Sequence, residues 1–346
     1  MLHSITDKLR RVSLAWYLAI GITVWMVFIS FMHNMLNTEH DKRRVVLMGY
    51  MPVITNLAAP ILDHVTKKEG KVRFKAIKFS SFAEMAESLR NGEIDVAFMI
   101  APLSIVLRQQ GEDIKVIYIG NRHESTLVTR KDLNIVSLDD LIGKTIAVPM
   151  RYSGHNLSIR KLLDEYGLQD NINIVEMNPP DMASALVSGS LDAYYVGEPF
   201  AAQTLMSGDA SLLFYVGDVW KDFICNLMVV RQEFIDVESD VVQMLVQGAA
   251  RSGVWAKNNT DEAAEIVSRY WNQSESLVKY AMKTPENRIV YNQYTPIDEE
   301  LQYMANLMKK QGLTNTNNID GLVDDGFANN ANIEKVEVLH DIMNIK

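Results

Sequence analysis

Two stretches decide how this chain is read: MAESLRNGEIDVAFMIAP, residues 85–102, and MASALVSGSLDAYYVGEP, residues 182–199. A shift of 97 positions lays one on the other without a gap. Met85, Ala86, Leu89, Gly92, Asp95 and Pro102 then meet Met182, Ala183, Leu186, Gly189, Asp192 and Pro199. In each stretch, apolar residues at helical spacing lead to a glycine suited to end a helix. A short apolar run follows that reads as a buried strand. Pro52 and Pro149 stand the same 97 positions apart, so the correspondence reaches back to the first strand of each half. Helix, turn and strand are written twice, which predicts two lobes of like build.

Outward from Met85, the elements alternate. RRVVLMGYMP (43–52) predicts a strand over Val45–Met48 and a loop from Gly49 to Pro52, with a helix from Asn56 to about Lys68. KVRFKAIKF (71–79) is a second strand, Ser80 a candidate N-cap for the next helix, and IDVAFMI (94–100) a third strand. PLSIVLRQQG (102–111) is helical and IKVIYIG (114–120) extended. Around Thr129 the pattern restarts with DLIGKTIAVP, SGHNLSIRKLLDEYG, INIVEM, PPDMASALVSG and LDAYYVG. The β-α-β-α-β order predicts an α/β protein in which each lobe has a parallel sheet covered on both faces. FICNLMVVRQEF (223–234) reads as a strand returning to the first lobe. Amphipathic helices follow from Asp240, expected to wrap the first lobe, and NNIDGLVDDGFANNANIEK (317–335) reads as a polar, loop-like tail. The expected divisions are an N-terminal segment 1–44, lobe I over 45–128 plus 231–346, and lobe II over 129–230, with hinges near Thr129 and Val229.

The 346 residues suit two lobes and an appendage. A formal charge of −9 argues against nucleic acid as a partner, since phosphate binding needs basic patches. The single cysteine, Cys225, permits neither an internal disulfide nor a cysteine-rich metal site. LAWYLAIGITVWMVFISFM (Leu14–Met32) is 19 residues without a charge, close to the length that spans a hydrocarbon core of about 30 Å. Lys8, Arg10 and Arg11 before it favour a cytoplasmic N-terminus; Lys42, Arg43 and Arg44 after it weaken that bias. No A-x-A site or lipid-accepting cysteine follows the run, so an uncleaved membrane anchor is expected ahead of a cleaved signal or a buried helix. Anchor and signal alike place the rest of the chain outside the cytoplasm.

Ligands of open α/β sheets bind beyond the carboxyl ends of the strands, beside helix N-termini. The residues expected there are Tyr50, Asn56, Ser80, Ser81, Ala101 and His123 in lobe I, and Ser153, Gly154, His155 and Glu198 in lobe II. In RYSGHN, Ser153 can cap the next helix, Gly154 lets a ligand approach the backbone, and His155 sits in the first turn. Glu198 stands at a strand end before a proline, able to accept hydrogen bonds from a ligand or to lock the lobes together. G-x-S-x-G, the phosphate-binding G-x-x-x-x-G-K-[ST] and H-E-x-x-H are all absent from the sequence. No catalytic residues, cofactor or metal site are therefore expected.

SGHNLSIR (153–160), NPPDMASALVSGSLDAYYVGEPF (178–200) and the Trp220–Lys221 pair resemble the nitrate/bicarbonate-binding proteins of ABC importers, within the wider nitrate/sulfonate/taurine class. The likeness runs from about Val45 to Ala328. It implies a type II periplasmic-binding-protein fold that closes on a small ligand and delivers it to a membrane permease, with His155 a ligand contact. The family pattern has a glutamine after the third strand, where this chain reads NRHEST with His123 and Glu124, and a lysine beyond Trp-Lys, where it reads FICN. These departures point away from a single small anion and toward an alkylsulfonate or a heterocycle. The alternatives are a membrane-tethered ligand-sensing module and, behind it, an enzyme on the same fold.

Overall fold

A computed structural model describes residues 14–37, 43–168 and 170–344. The chain divides into a compact unit within residues 1–44 and another over 45–346. In the first, α1 (Leu14–Asn37) contains an apolar window, Trp16–His33, of mean hydropathy 1.6 with none of its residues buried. Lys8, Arg10, Arg11 and Lys42, on which the expected orientation rests, lie outside the described residues.

The second unit holds two five-stranded sheets. β1 (Arg44–Tyr50), β2 (Val72–Lys78), β3 (Val96–Ile100), β4 (Ile114–Ile119) and β10 (Asn226–Arg231) form the first, in the order β2-β1-β3-β10-β4. β5 (Ser125–Arg130), β6 (Thr145–Val148), β7 (Asn173–Glu176), β8 (Ala193–Gly197) and β9 (Ala210–Tyr215) form the second, in the order β7-β6-β8-β5-β9. The orders are the same, with β10 and β5 exchanged between the halves. Both sheets are mixed rather than parallel, because each takes in an antiparallel strand from across the junction. The crossings therefore lie between Ile119 and Ser125 and between Tyr215 and Asn226. The boundaries expected at 128/129 and 230/231, and the hinges at Thr129 and Val229, fall inside strands and are corrected accordingly.

The repeated stretch has a physical explanation. α3 (Phe82–Arg90) and α6 (Pro179–Val187) match at a shift of 97, as do β3 and β8. Gly92 (φ +74°) and Gly189 (φ +80°) turn the chain in the left-handed region that glycine tolerates. Asp95 then brackets the neighbouring strand. Its carboxylate accepts from the Leu47 amide (2.7 Å) and its own amide donates to the Leu47 carbonyl (2.9 Å). Asp192 does the same to Thr145, at 2.9 and 3.1 Å. The exchanged strands close each turn. Arg231 at the end of β10 donates to the carbonyls of Leu89 (2.7 Å) and Ile94 (2.9 Å). Arg130 at the end of β5 donates to those of Gly189 (3.3 Å) and Leu191 (3.4 Å).

α2 (Ala58–Thr66), α4 (Ala101–Gln109), α5 (Gly154–Tyr166), α7 (Phe200–Ser207) and the short α8 (Val216–Val219) complete the layers. Ser80 is exposed, and Ser81 is the residue at the start of α3, so the expected cap is corrected by one position. The C-terminal helices do more than wrap the first sheet. α9 (Gln232–Asn258) and α10 (Thr260–Trp271) cover α2, whereas α11 (Glu275–Lys283) packs on α7. α12 (Asp298–Lys310) touches both α4 and α5. The polar tail is tied down: Val116 and the 322–324 segment exchange backbone hydrogen bonds (2.8 and 2.9 Å), which covers the free edge of β4.

Asp95→Ala and Asp192→Ala should each lower the unfolding free energy by about 1–3 kcal/mol, since each leaves a backbone amide of the neighbouring strand, of Leu47 or Thr145, without its acceptor. In chemical denaturation the double variant should sum the two losses within about 0.5 kcal/mol, the sites sharing no partner.

Candidate functional site

The carboxyl ends of the parallel strands from both sheets meet where the chain crosses. Arg122 forms isolated bridges to Ile224 and to Val290, which draws residues 121–124, 223–225 and 289–291 into one junction. The Ile54 amide donates to the Glu198 carbonyl (2.8 Å), joining the two halves directly.

His155 enters on the first turn of α5. Ser153 is its N-cap, accepting from the Asn156 amide at 3.1 Å. Gly154 is required by close approach: a Cβ there would lie 2.8 Å from the Phe223 ring and 3.2 Å from the Ile224 carbonyl oxygen. His155 Nε2 lies 2.9 Å from Ser125 Oγ and 4.0 Å from Cys225 Sγ. Its ring meets Tyr195 and Phe223 edge-on, at centroid distances of 5.1 and 5.7 Å. Burial pushes its pKa down to about 3, so the imidazole is neutral. Nδ1 is buried without a hydrogen-bond partner among the described residues.

Glu198 is buried too. Its carboxylate accepts from Thr126 Oγ1 (2.7 Å), the Ala202 amide (2.8 Å) and Arg288 Nη2 (3.3 Å). Arg288 also donates to Thr126 Oγ1 (2.8 Å) and lies 4.4 Å from the centroid of the Tyr215 ring. This arginine, from the segment between α11 and α12, therefore grips the second sheet at three points. Burial raises the Glu198 pKa, against the pull of Arg288, Thr126 and the Ala202 amide.

Glu124 lies beside it, fully buried, with Oε2 accepting from the Glu198 amide. The Cys225 thiol runs alongside Glu124 and donates to Asn226 Oδ1 (3.4 Å), and Oε1 is left without a hydrogen-bond partner among the described residues. Burial is the main reason its pKa rises to about 7; Glu198 adds to the rise, while Cys225, the Glu198 amide and Arg288 oppose it. The other buried polar atoms without partners among the described residues are the whole amide of Asn121, Thr55 Oγ1, Tyr291 OH and Arg288 Nε, together with Trp255 Nε1, Trp271 Nε1 and Gln311 Oε1, which belong to other parts of the chain. A buried polar group without a partner is costly, so their gathering makes this junction the candidate ligand site.

Of the residues expected from sequence, Ser153, Gly154, His155 and Glu198 come together here. Ala101 is present through its amide, which donates to the Cys225 carbonyl (3.0 Å). Asn56 joins as scaffold: Nδ2 donates to the Met51 and Phe98 carbonyls (3.1 and 3.4 Å), and Oδ1 accepts from Asn226 (2.8 Å). His123 (φ +69°) turns to the 217–221 segment, with Nε2 against the Lys221 carbonyl. Tyr50 does not join the group. Its hydroxyl donates to the Tyr270 carbonyl (3.3 Å), within the core beneath the C-terminal helices. Exposed Ser80 does not join either. Sequence reasoning missed Thr55, Asn121, Ser125, Thr126, Tyr291 and Arg288, which follow no motif.

The NMT1-like family matches residues 40–270. The chain belongs to that family. It is 26% identical over 276 residues to a Bacillus subtilis (strain 168) protein provisionally named as an aliphatic sulfonates-binding protein, covering 77% of this chain and 82% of that one. It is 26% identical over 267 residues to the taurine-binding periplasmic protein of Escherichia coli (strain K12), covering 72% and 81%. These relatives are binding proteins, not enzymes. Among solved structures, the periplasmic nitrate-binding protein NrtA of Synechocystis PCC 6803 superposes with a TM-score of 0.73 at 16% identity, over 83% of this chain and 88% of that one. A protein titled as the desulfurization enzyme DSZB superposes at 0.59 with 15% identity, over 83% and 98%. The fold is thus the periplasmic-binding-protein fold expected of this family, here carrying mixed sheets.

The raised Glu124 pKa has a definite sign for stability. Between about pH 4.5 and 7 the folded chain holds more protons at this site than the unfolded chain, so stability falls as pH rises. His155 acts oppositely between about pH 3 and 6.5. Relative to the parent, Glu124→Gln should therefore gain up to about 3 kcal/mol between about pH 5 and 8 in chemical denaturation.

Proposed function

We propose that the chain is an extracytoplasmic solute-binding protein of an ABC-type importer. Its two lobes close on a small ligand of the nitrate/sulfonate/taurine kind or a heterocycle and present it to a membrane permease. One observation carries this reading: partnerless polar atoms of Asn121, Glu124, His155 and Tyr291 lie buried where the two crossing segments and the 289–291 segment meet. A solute there touches both sheets and the segments that connect them, so binding and closure are one event. We assign ligand contact to Asn121, Glu124, His155 and Tyr291, with Ser153, Gly154, Ala101 and Asn56 shaping the walls and Glu198 holding Arg288. Burial leaves His155 neutral and the Cys225 thiol protonated, which argues for binding rather than covalent catalysis.

The apolar helix Leu14–Asn37 is read as an uncleaved tether that keeps the lobes near their permease and raises their effective concentration there. Intact mass of the membrane-extracted protein should then include residues 14–37. A mature chain beginning after residue 37 and found free of membrane would replace the anchor with a signal. Co-purification with a kinase or receptor instead of a transporter would favour a sensing module.

Arg288 should govern closure. Its loss leaves Glu198 buried without its counter-charge, a defect worth about 3–5 kcal/mol that opening of the lobes relieves. Dyes on Val187→Cys and Val237→Cys, both exposed positions, report the separation, Cys225 being buried. Arg288→Ala should lengthen that distance, and an unchanged distance would reject the latch.

A further inference from the structure

The charges at the junction restrict what the solute can be, provided the binding-protein reading above holds. Two carboxylates, Glu124 and Glu198, face one guanidinium, Arg288, and Arg288 is ion-paired with Glu198. The remaining buried arginines among the described residues are committed elsewhere. Arg73 pairs with Asp63, Arg122 with Glu300, and Arg251 donates to the carbonyls of Asn332, Glu334 and Asp341. No lysine is buried among the described residues, and His155 is neutral. Among the described residues Arg288 is therefore the one cation of the junction; its Nη atoms are held by Glu198 and Thr126 and only its Nε lacks a partner, which leaves one carboxylate in excess.

One oxygen of that carboxylate, packed beside Gly197, also lacks a hydrogen bond among the described residues. Glu124 Oε1 is buried and lacks a hydrogen-bond partner, as do Asn121 Oδ1 and Tyr291 OH at the same junction. Glu124 Oε1 and Asn121 Oδ1 are acceptors and the Tyr291 hydroxyl can accept, which suits an ammonium-type head group with its several donors; Asn121 Nδ2 and Arg288 Nε are donors left for a polar acceptor elsewhere on the same solute. An entering anion would instead be buried beside two carboxylates in a low-dielectric site. The chain's formal charge of −9 acts in the same direction at long range.

We propose that, of the solute range given above, the site takes a member that carries a protonated nitrogen, as an amine, amidine or guanidine, which donates to Glu124 Oε1, and that it excludes the simple monoanions of that range. The groups facing Glu124 are Glu198 beyond β8, Arg288 and Tyr291 from the segment between α11 and α12, Cys225 ahead of β10, and Tyr195 on β8. His155 on α5 reaches the cluster through Ser125 and Cys225. Burial lifts the Glu124 pKa to about 7, so its charge changes near neutral pH. A cation bound to it should bind more tightly as pH rises through that value.

The test uses the full chain in detergent and two matched sets of probes. One set is ethylamine, acetamidine and methylguanidine, all protonated across the range; the other is nitrate, acetate and ethanesulfonate. Thermal shifts with millimolar probe identify the stabilising set, and calorimetry follows the best member in the parent and in Glu124→Gln. The expected result is stabilisation by the cations, with affinity rising about tenfold from about pH 6 to about pH 8 as Glu124 ionises. Glu124→Gln should bind more weakly and lose that pH dependence. Stabilisation by the anions, or affinity that grows as pH falls, overturns the charge assignment and leaves the binding-protein reading standing. Cation binding with the same pH dependence in Glu124→Gln overturns the role given to Glu124. No shift with either set overturns the proposal together with the binding-protein reading on which it rests.

Discussion

The exchange of one antiparallel strand between the two sheets is the constraint from which the rest follows. β10 enters the first sheet between β3 and β4, and β5 enters the second between β8 and β9. Each must begin at the end of the sheet where its parallel neighbours finish. Both crossings are therefore forced to the same place, the carboxyl ends of the strands. Hinge and ligand site cannot be separated in this topology. The residues just before each exchanged strand, Asn121 to Glu124 and Asp222 to Cys225, lie in the segments that must bend. The same residues supply the polar groups of the junction. The far end of each exchanged strand is held by its arginine on the opposite flank, so bending is concentrated at the crossings.

The energetics of the junction differ from those of the sheets. The sheets close their hydrogen bonds with backbone, aspartate brackets and arginine clamps. At the junction, several buried polar atoms have no partner, and two carboxylates share one guanidinium. Such an arrangement is poor for stability, since an unmade buried hydrogen bond costs more than a made one gains. It persists because the surrounding scaffold over-determines it: Asn56 bonds to Met51 just past β1, to Phe98 within β3 and to Asn226, and Gly154 seats α5 against the Phe223 ring. Stability invested in the frame makes room for an unsatisfied centre.

Most of the frame was legible in the sequence, because a repeat at constant shift is a statement about geometry. Strand and helix order, the Ser153 cap and a strand at 223–234 that returns to the first sheet all followed from periodicity and turn residues, whereas the place of the return was expected too late, near Val229. The antiparallel insertions were not seen. Periodicity carries no information on strand direction, and the second offset went unnoticed. STLVTR (125–130) and NLMVVR (226–231) correspond at a shift of 101, each ending in the clamping arginine, and their registers and irregularities match in the structure. The site was only half legible. Ser153, Gly154, His155 and Glu198 stand next to helix starts and prolines, where local rules apply. Arg288 and Tyr291 arrive from a connection between helices, and no local rule predicts that a residue 90 positions beyond Glu198 will pair with it. Tyr50 misled because a strand end fixes where a backbone lies and leaves open which face of the sheet the side chain takes.

The two shifts together show why the ionisable groups of the candidate site sit on one side of a nearly symmetric frame. Under them Ala101 corresponds to Glu198, Cys225 to Glu124, Ala58 to His155 and Asn56 to Ser153. The amide at the end of the third strand makes a hydrogen bond in both halves. In the first half it comes from Ala101 and meets the backbone carbonyl of Cys225; in the second it comes from Glu198 and meets the carboxylate of Glu124. The geometry is conserved between halves while the acceptor changes from a peptide oxygen to a titratable group. Likewise a small Ala58 at the start of α2 answers His155 at the start of α5. The frame demands a donor and an acceptor at these places and is indifferent to whether a side chain supplies them. Charged and ring-bearing side chains are therefore free to occupy one copy of each position while alanine and cysteine keep the other quiet, and that asymmetry gives a site built from a repeat its single polarity.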